Sequence, residues 1–225
     1  MADETKHRDL TGLGVYTVQE AAMYGRLSPQ RLSRWLFGAG RYPPVVDSQL
    51  AAEHLVSFHD LVQAMAIGRA RDENVSLQKV RQAIQKAKAE YGVALPLAHD
   101  HRLLLFDDEL HIEFPNERVI QLTGRGHDQS MMRPIIEPFM KAIDFNEEGL
   151  AYRYTAGEWH GTKIVLDPMR QFGQPLVGDT GYRADVLAHA VEVEQSVDVV
   201  VTAYNIDRRD VEAAIAYMKE LRKAA

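Results

Sequence analysis

The chain has no cysteine. That excludes disulfides, thiol nucleophiles and thiolate zinc sites. It has no run of about 18 apolar residues, so no helical membrane span is expected. The opening MADETKHRDL lacks the apolar stretch of a signal peptide, and a cytoplasmic protein is the simplest expectation. Positive charge is also short: the formal net charge is −6 over 225 residues, which argues against nucleic-acid binding across the whole surface. No phosphate loop is present, because Gly124-Arg125-Gly126-His127 lacks the lysine and the strand–loop–helix order that such a loop needs. No Ser/His/Asp set or carboxylate pair has a defensible placement, so neither enzyme activity nor a cofactor is expected. His99-Asp100-His101, with His111 and Asp107-Asp108-Glu109, offers metal-type donors. The histidine pair sits in a turn where no helix fixes its spacing, and a solvated loop is the expectation.

What charge there is divides unevenly. Residues 1–92 carry 12 Lys and Arg against 10 Asp and Glu, net +2, while residues 93–225 carry 14 against 22, net −8. A phosphate backbone attracts local positive charge, so any DNA contact belongs in the first 92 residues.

Start signals place the helices of that part. Thr17 and Glu20 make a capping box for a helix over 16–24. Ser28-Pro29, an N-cap followed by an N1 proline, starts a second that runs to about Phe37. Ser57 and Ser76 cap a third from Phe58 to about Asp72 and a fourth from Leu77 to about Tyr91. Leu27, Leu32 and Trp35 fall on one stripe, with Ala22 as the small residue at the helix crossing. Gln30, Arg31, Ser33 and Arg34 are left outside. These are side chains that hydrogen-bond base edges and phosphates. Thr17 and Ser28 stand at the helix starts beside them, and Arg41 follows Gly38-Ala39-Gly40 on a strand tip. Two readings stay open from pattern alone: a DNA-reading helix-turn-helix, and a capped hairpin with solvated arginines.

Residues 93–157 read as a small α+β unit. LLLF (103–106), LHIEF (110–114), VIQLTG (119–124) and AYRYTA (151–156) are strand-like, and a helix is expected from about Ser130 to Ile143. This stretch could also house a small-molecule pocket. Residues 158–225 open with the strand KIVLDP and FGQPLVG. Helices over about Arg183–Val193, Val197–Ala203 and Arg208–Lys223 follow. The last begins Asp207-Arg208-Arg209-Asp210-Val211-Glu212, whose carboxylates oppose phosphate contact. Its apolar stripe of Val211, Ala214, Ile215 and Met218, with Phe172 nearby, reads as a dimerisation or docking surface.

YTVQEAAMYGRLSPQRLSRWL resembles the N-terminal helix-turn-helix of the MerR type, although that motif usually has glycine where Arg26 stands. SFHDLVQAMAIGRARDENVSLQKVRQAIQKAKAEYG resembles the helix pair that follows it in MerR-like proteins, without their long coiled coil. The C-terminal part shows Asp167-Pro168, Phe172-Gly173-x-Pro175, and Asp210, Val211, Ala213, Ala214 and Tyr217 in the pattern D-V-x-A-A-x-x-Y. These features resemble an uncharacterised domain type associated with bacterial antitoxins, and VEVEQS departs from its usual glycine-containing turn. The three parts together resemble the larger VapB-type antitoxins of toxin–antitoxin pairs. The resemblance implies a PIN-domain ribonuclease toxin as partner and repression of the chain's own operon.

The expected fold is mainly α with a small α+β middle part. It comprises a MerR-like DNA-binding head (1–92), an α+β middle domain (93–157) and a C-terminal three-helix dimerisation domain (158–225). The expected function is that of a homodimeric, DNA-binding antitoxin of a type II toxin–antitoxin system, acting on double-stranded DNA at its own operator. The alternative is a MerR-like regulator that responds to a small-molecule effector.

Overall fold

The computed structural model of the chain describes residues 12–106, 109–114, 133–134 and 136–224. Helices take up about half of them and two small antiparallel sheets complete a mixed α/β fold. Strand content therefore reaches beyond the middle part. The N-terminal helices are α1 (Val18–Gly25), α2 (Pro29–Phe37), α3 (Phe58–Asp72) and α4 (Leu77–Tyr91). Each starts where its cap places it. Ser57 Oγ accepts from Asp60 N at 3.0 Å, and the Asp60 carboxylate accepts from Ser57 N at 3.1 Å. Ser76 Oγ accepts from Lys79 N at 3.3 Å. α3 is the central post. Phe58 through Gly68 are all buried, so its apolar surface wraps most of the circumference instead of forming one stripe.

The first sheet has the order β2-β1-β3, from β1 (Arg102–Phe106), β2 (Glu109–Glu113) and β3 (Arg133–Pro134). Leu103 pairs with Ile112 across β1 and β2, and both are buried. A short helix, α5 (Glu137–Met140), comes next. This corrects the helix expected over Ser130–Ile143. The proline at the start of α5 lets a helix begin only there, and Ile143 already belongs to the next strand. Ser130 itself, the expected strand at 119–124 and the Gly124–His127 stretch lie outside the described residues.

The second sheet runs β4 (Ile143–Phe145), β5 (Ala151–Trp159), β6 (Thr162–Leu166) and β7 (Leu176–Val177), in sequence order. The β5–β6 hairpin passes through position 157, so one sheet joins the middle and C-terminal parts. The chain ends in α6 (Ala184–Glu194), α7 (Val197–Tyr204) and α8 (Arg208–Ala224). α8 packs on this sheet, with the Tyr217 ring edge-on to Trp159 at 5.1 Å and Thr162 Oγ1 donating to Asp210 Oδ1 at 2.7 Å.

One hydrophobic cluster runs from Tyr16 to Leu221. Two tyrosines fasten its N-terminal side to the C-terminal part. Tyr16 Oη donates to Gly173 O at 2.8 Å, and Tyr24 Oη donates to Gln174 Oε1 at 2.7 Å. The helix pair α1–α2 is thereby held against the rest of the molecule by buried contacts, not by a linker.

Candidate nucleic-acid interface

α1 begins at the predicted box: Thr17 Oγ1 accepts from Glu20 N at 3.2 Å, and Glu20 accepts from Thr17 N at 2.8 Å. Arg26 then turns the chain with φ 54° and ψ 43°. The left-handed position is thus 26, and Gly25 before it is the last helical residue. Gly25 remains helical for a packing reason, because a Cβ there would lie 3.0 Å from Leu61 Cδ1. The Arg26 guanidinium is paired with Glu220, which also accepts from Trp159 Nε1 at 3.0 Å.

Ser28 Oγ accepts from Arg31 N at 3.3 Å and sets α2 running. Leu32, Trp35 and Leu36 then point into the core. The other face presents Gln30, Arg31 and Arg34, all exposed, with Ser33 half-buried. Neither arginine is held in an ion pair among the described residues. Thr17, Gln30, Ser33 and Arg34 meet around one shallow surface recess, together with Gln19 and His54; Arg31 is not part of its lining. Ser28 is exposed at the helix start.

Arg41 stands on a tight reversal. Ala39 and Tyr42 exchange backbone hydrogen bonds of 2.9 and 3.0 Å. Gly38 makes the turn possible with φ +79°, and a Cβ there would meet Tyr42 O at 2.7 Å. The Arg41 guanidinium lies 5.2 Å from the Tyr42 ring centroid and donates to its hydroxyl at 3.1 Å. From behind, Arg81 on α4 donates to Pro43 O at 2.9 Å, and Lys88 pairs with Asp47 at 2.6 Å. Those two α4 cations brace the segment instead of extending the exposed face.

The C-terminal helices differ in charge state. Arg208 is paired with Asp198 and, at 3.5 Å, with Glu212; Arg209 pairs with Asp207 at 3.2 Å. Cations already neutralised by neighbouring carboxylates gain little from a phosphate. The residues expected to dimerise split in two. Val211 and Ala214 are fully buried in the chain's own core and offer no surface to a second copy, which corrects their assignment. Ile215 and Met218 are half-buried and line a recess between α6 and α8, and Phe172 is 66% exposed.

The histidine-rich turn folds inward. His101 is buried, and its Nδ1 meets His99 O at 2.5 Å. Among the described residues no group of three His, Asp or Glu is placed to hold a metal ion. Two recess residues went unread in the sequence. Gln19 sits one position into α1 and could have been found by extending the exposed face back from Gln30. His54 comes from the 47–55 loop, which has no periodicity to announce it, and its ring rests on Phe37 at 4.2 Å.

A family model described as "Protein of unknown function (DUF433)" matches residues 164–218, the segment from β6 to α8. The chain is 25% identical over 193 residues to "Putative antitoxin VapB45" of Mycobacterium tuberculosis, covering 77% of this chain and 81% of that protein. It is 23% identical over 223 residues to "Uncharacterized protein Rv2308" of the same organism, covering 93% and 92%. The crystal structure of Rv2018 from Mycobacterium tuberculosis superposes with a TM-score of 0.63 at 16% identity, over 89% of this chain and 96% of that one. The chain therefore shares its fold with Rv2018 over nearly its whole length, and its sequence is similar to that of a protein named as an antitoxin.

Proposed function

We propose that the protein is the DNA-binding antitoxin of a type II toxin–antitoxin pair, with α1 and α2 as a MerR-like helix-turn-helix. α2 is the recognition helix in the major groove. The observation that carries this reading is the contrast between the two arginine pairs. Arg31 and Arg34 stand exposed and, among the described residues, outside any ion pair beside Gln30 and Ser33, whereas Arg208 and Arg209 are neutralised by carboxylates. Arg31 and Arg34 reach base edges or phosphates; Thr17 and Ser28 approach the backbone at the helix starts; Arg41 lies on the adjacent tip. The similarity to a protein named as a putative antitoxin supports a toxin partner, here taken as a PIN-domain ribonuclease. Operator palindromy calls for a homodimer. Phe172, Ile215 and Met218 remain available for that contact.

The test is fluorescence anisotropy with the DNA upstream of the chain's own reading frame, at two salt concentrations. Wild type binds with strong salt dependence. Arg31→Ala/Arg34→Ala loses most of the affinity and, if both residues meet phosphates, lowers the salt slope by about two per protomer, so by about four for the homodimer. Binding unchanged in the double variant would move the DNA reader elsewhere and overturn the assignment.

A second reading, a transcriptional regulator that responds to an effector, draws on a cavity of about 870 Å³ over the second sheet. Arg69, Lys141, Arg153 and Lys163 are among its lining residues. It predicts a ligand that changes DNA affinity with no protein partner.

A further inference from the structure

The recess between α6 and α8 has a volume of about 530 Å³ and opens to solvent. Its floor is apolar, with Ala188 and Val191 from α6 and Ile215 and Met218 from α8. Its rim is basic, because Lys219, Arg222 and Lys223 stand along the last turns of α8. Arg222 is held by Glu192 at 2.6 Å. Lys219 and Lys223 are exposed and, among the described residues, outside any ion pair.

α6 has the opposite character. It carries Asp185, Glu192 and Glu194, and neither lysine nor arginine. Ala184, Leu187 and Ala188 turn into the core. Val186, Ala190 and Val193 fall together on the far side, since positions three, four and seven apart share a helix face. Val186 is 39% and Val193 64% exposed, with Ala190 half-buried. The helix therefore presents an apolar stripe to solvent, with the carboxylate of Glu194 beside it. α6 is also one wall of the recess, so the stripe and the recess adjoin.

We propose that two copies of the chain associate through this layer, the Val186–Ala190–Val193 stripe of each lying in the α6–α8 recess of the other. This rests on the homodimer of the proposed function and names its contact surface. Adjoining ridge and groove suit a two-fold contact, in which each copy gives its ridge and receives the other's. The valines supply affinity by leaving water against Val191, Ile215 and Met218. Glu194 of one copy meets Lys219 and Lys223 of the other and sets the register. Placing recess against recess would instead turn the lysines on their own copies. Ile215 and Met218 take part in this contact; Phe172 is not called on.

Sedimentation equilibrium of the full chain without DNA, at low and at high salt, measures the dimer dissociation constant. Val193→Asp is expected to raise it about tenfold or more, since a carboxylate enters the apolar centre of the contact. Lys219→Glu/Lys223→Glu is expected to raise it about tenfold at low salt, and adding Glu194→Lys to bring it back within about threefold of wild type. All four side chains are exposed in the single chain, so the variants should fold, which far-UV circular dichroism checks. A dimer unmoved by Val193→Asp or by the lysine reversal, or one that Glu194→Lys does not restore, would overturn this surface and leave the homodimer standing. A chain that stays monomeric up to millimolar concentration would overturn both.

Discussion

Lowering the pH from 7.5 to 5.0 is expected to cost this protein about 2 kcal/mol of stability through His101 alone. The imidazole is buried, and burial disfavours its charged form, so its pKa falls from the ordinary 6.5 to about 4. The unfolded chain titrates near 6.5, so between the two values the unfolded state binds the extra proton. Stability from this residue is full above pH 6.5 and is lost as pH falls toward 4, with a limiting cost of about 3 kcal/mol. His59 is shifted down by burial too and adds to the loss, whereas Asp60 is shifted up by burial and opposes it. Urea unfolding at both pH values, for wild type and for His101→Gln, isolates the His101 share. Glutamine is uncharged throughout and keeps a side-chain donor. The variant should therefore lose about 2 kcal/mol less than wild type over this interval. Parallel losses in the two proteins, or a His101 signal that titrates near 6.5 in the folded state, would refute the reasoning.

Two further outcomes follow from packing. Leu32→Ala should destabilise by about 2–5 kcal/mol, because the side chain is fully buried under α2 and its removal leaves a cavity in the helix pair; thermal or urea unfolding measures it. Gly173→Ala should cost about 3 kcal/mol or more, since φ is +83° and the new Cβ would lie 2.3 Å from Tyr16 Oη. Adding Tyr16→Phe removes that atom, so the double variant should be less destabilised than the two single changes added together.

The helix starts were legible because their signals are local. A serine or threonine oxygen satisfies an amide three residues on, and nothing distant is needed; α3 and α4 run from Phe58 to Asp72 and from Leu77 to Tyr91 as the caps at Ser57 and Ser76 imply. The exposed α2 face was legible for a similar reason, since burying Leu32 and Trp35 turns Gln30, Arg31 and Arg34 outward by geometry. The middle part was less legible. Apolar residues around position 140 suit a helix or a strand equally well, and pairing of Ile143 with Tyr154 decides the matter across the sheet. The stripe on α8 misled for a related reason. Periodicity marks a buried face, but only the fold says whether the chain itself or a second copy covers it. Here the chain's own core buries Val211 and Ala214 before any partner can.

The same nonlocal logic bears on how the α1–α2 pair is connected to the rest of the molecule. Arg26 occupies a left-handed turn position that favours glycine, at a cost of about 1 kcal/mol or more. What a side chain adds there is a contact glycine could not make. Its guanidinium meets Glu220 near the end of α8, and the other oxygen of that carboxylate takes the indole N–H of Trp159 from β5. The turn between the two helices is therefore tied to the sheet and to the last helix through one exposed carboxylate. Exposed ion pairs contribute little stability, so this one cannot hold α1 and α2 to the C-terminal part; Tyr16 and Tyr24, buried on Gly173 and Gln174, do that. What the Arg26–Glu220–Trp159 chain can do is fix the angle of the turn relative to α8.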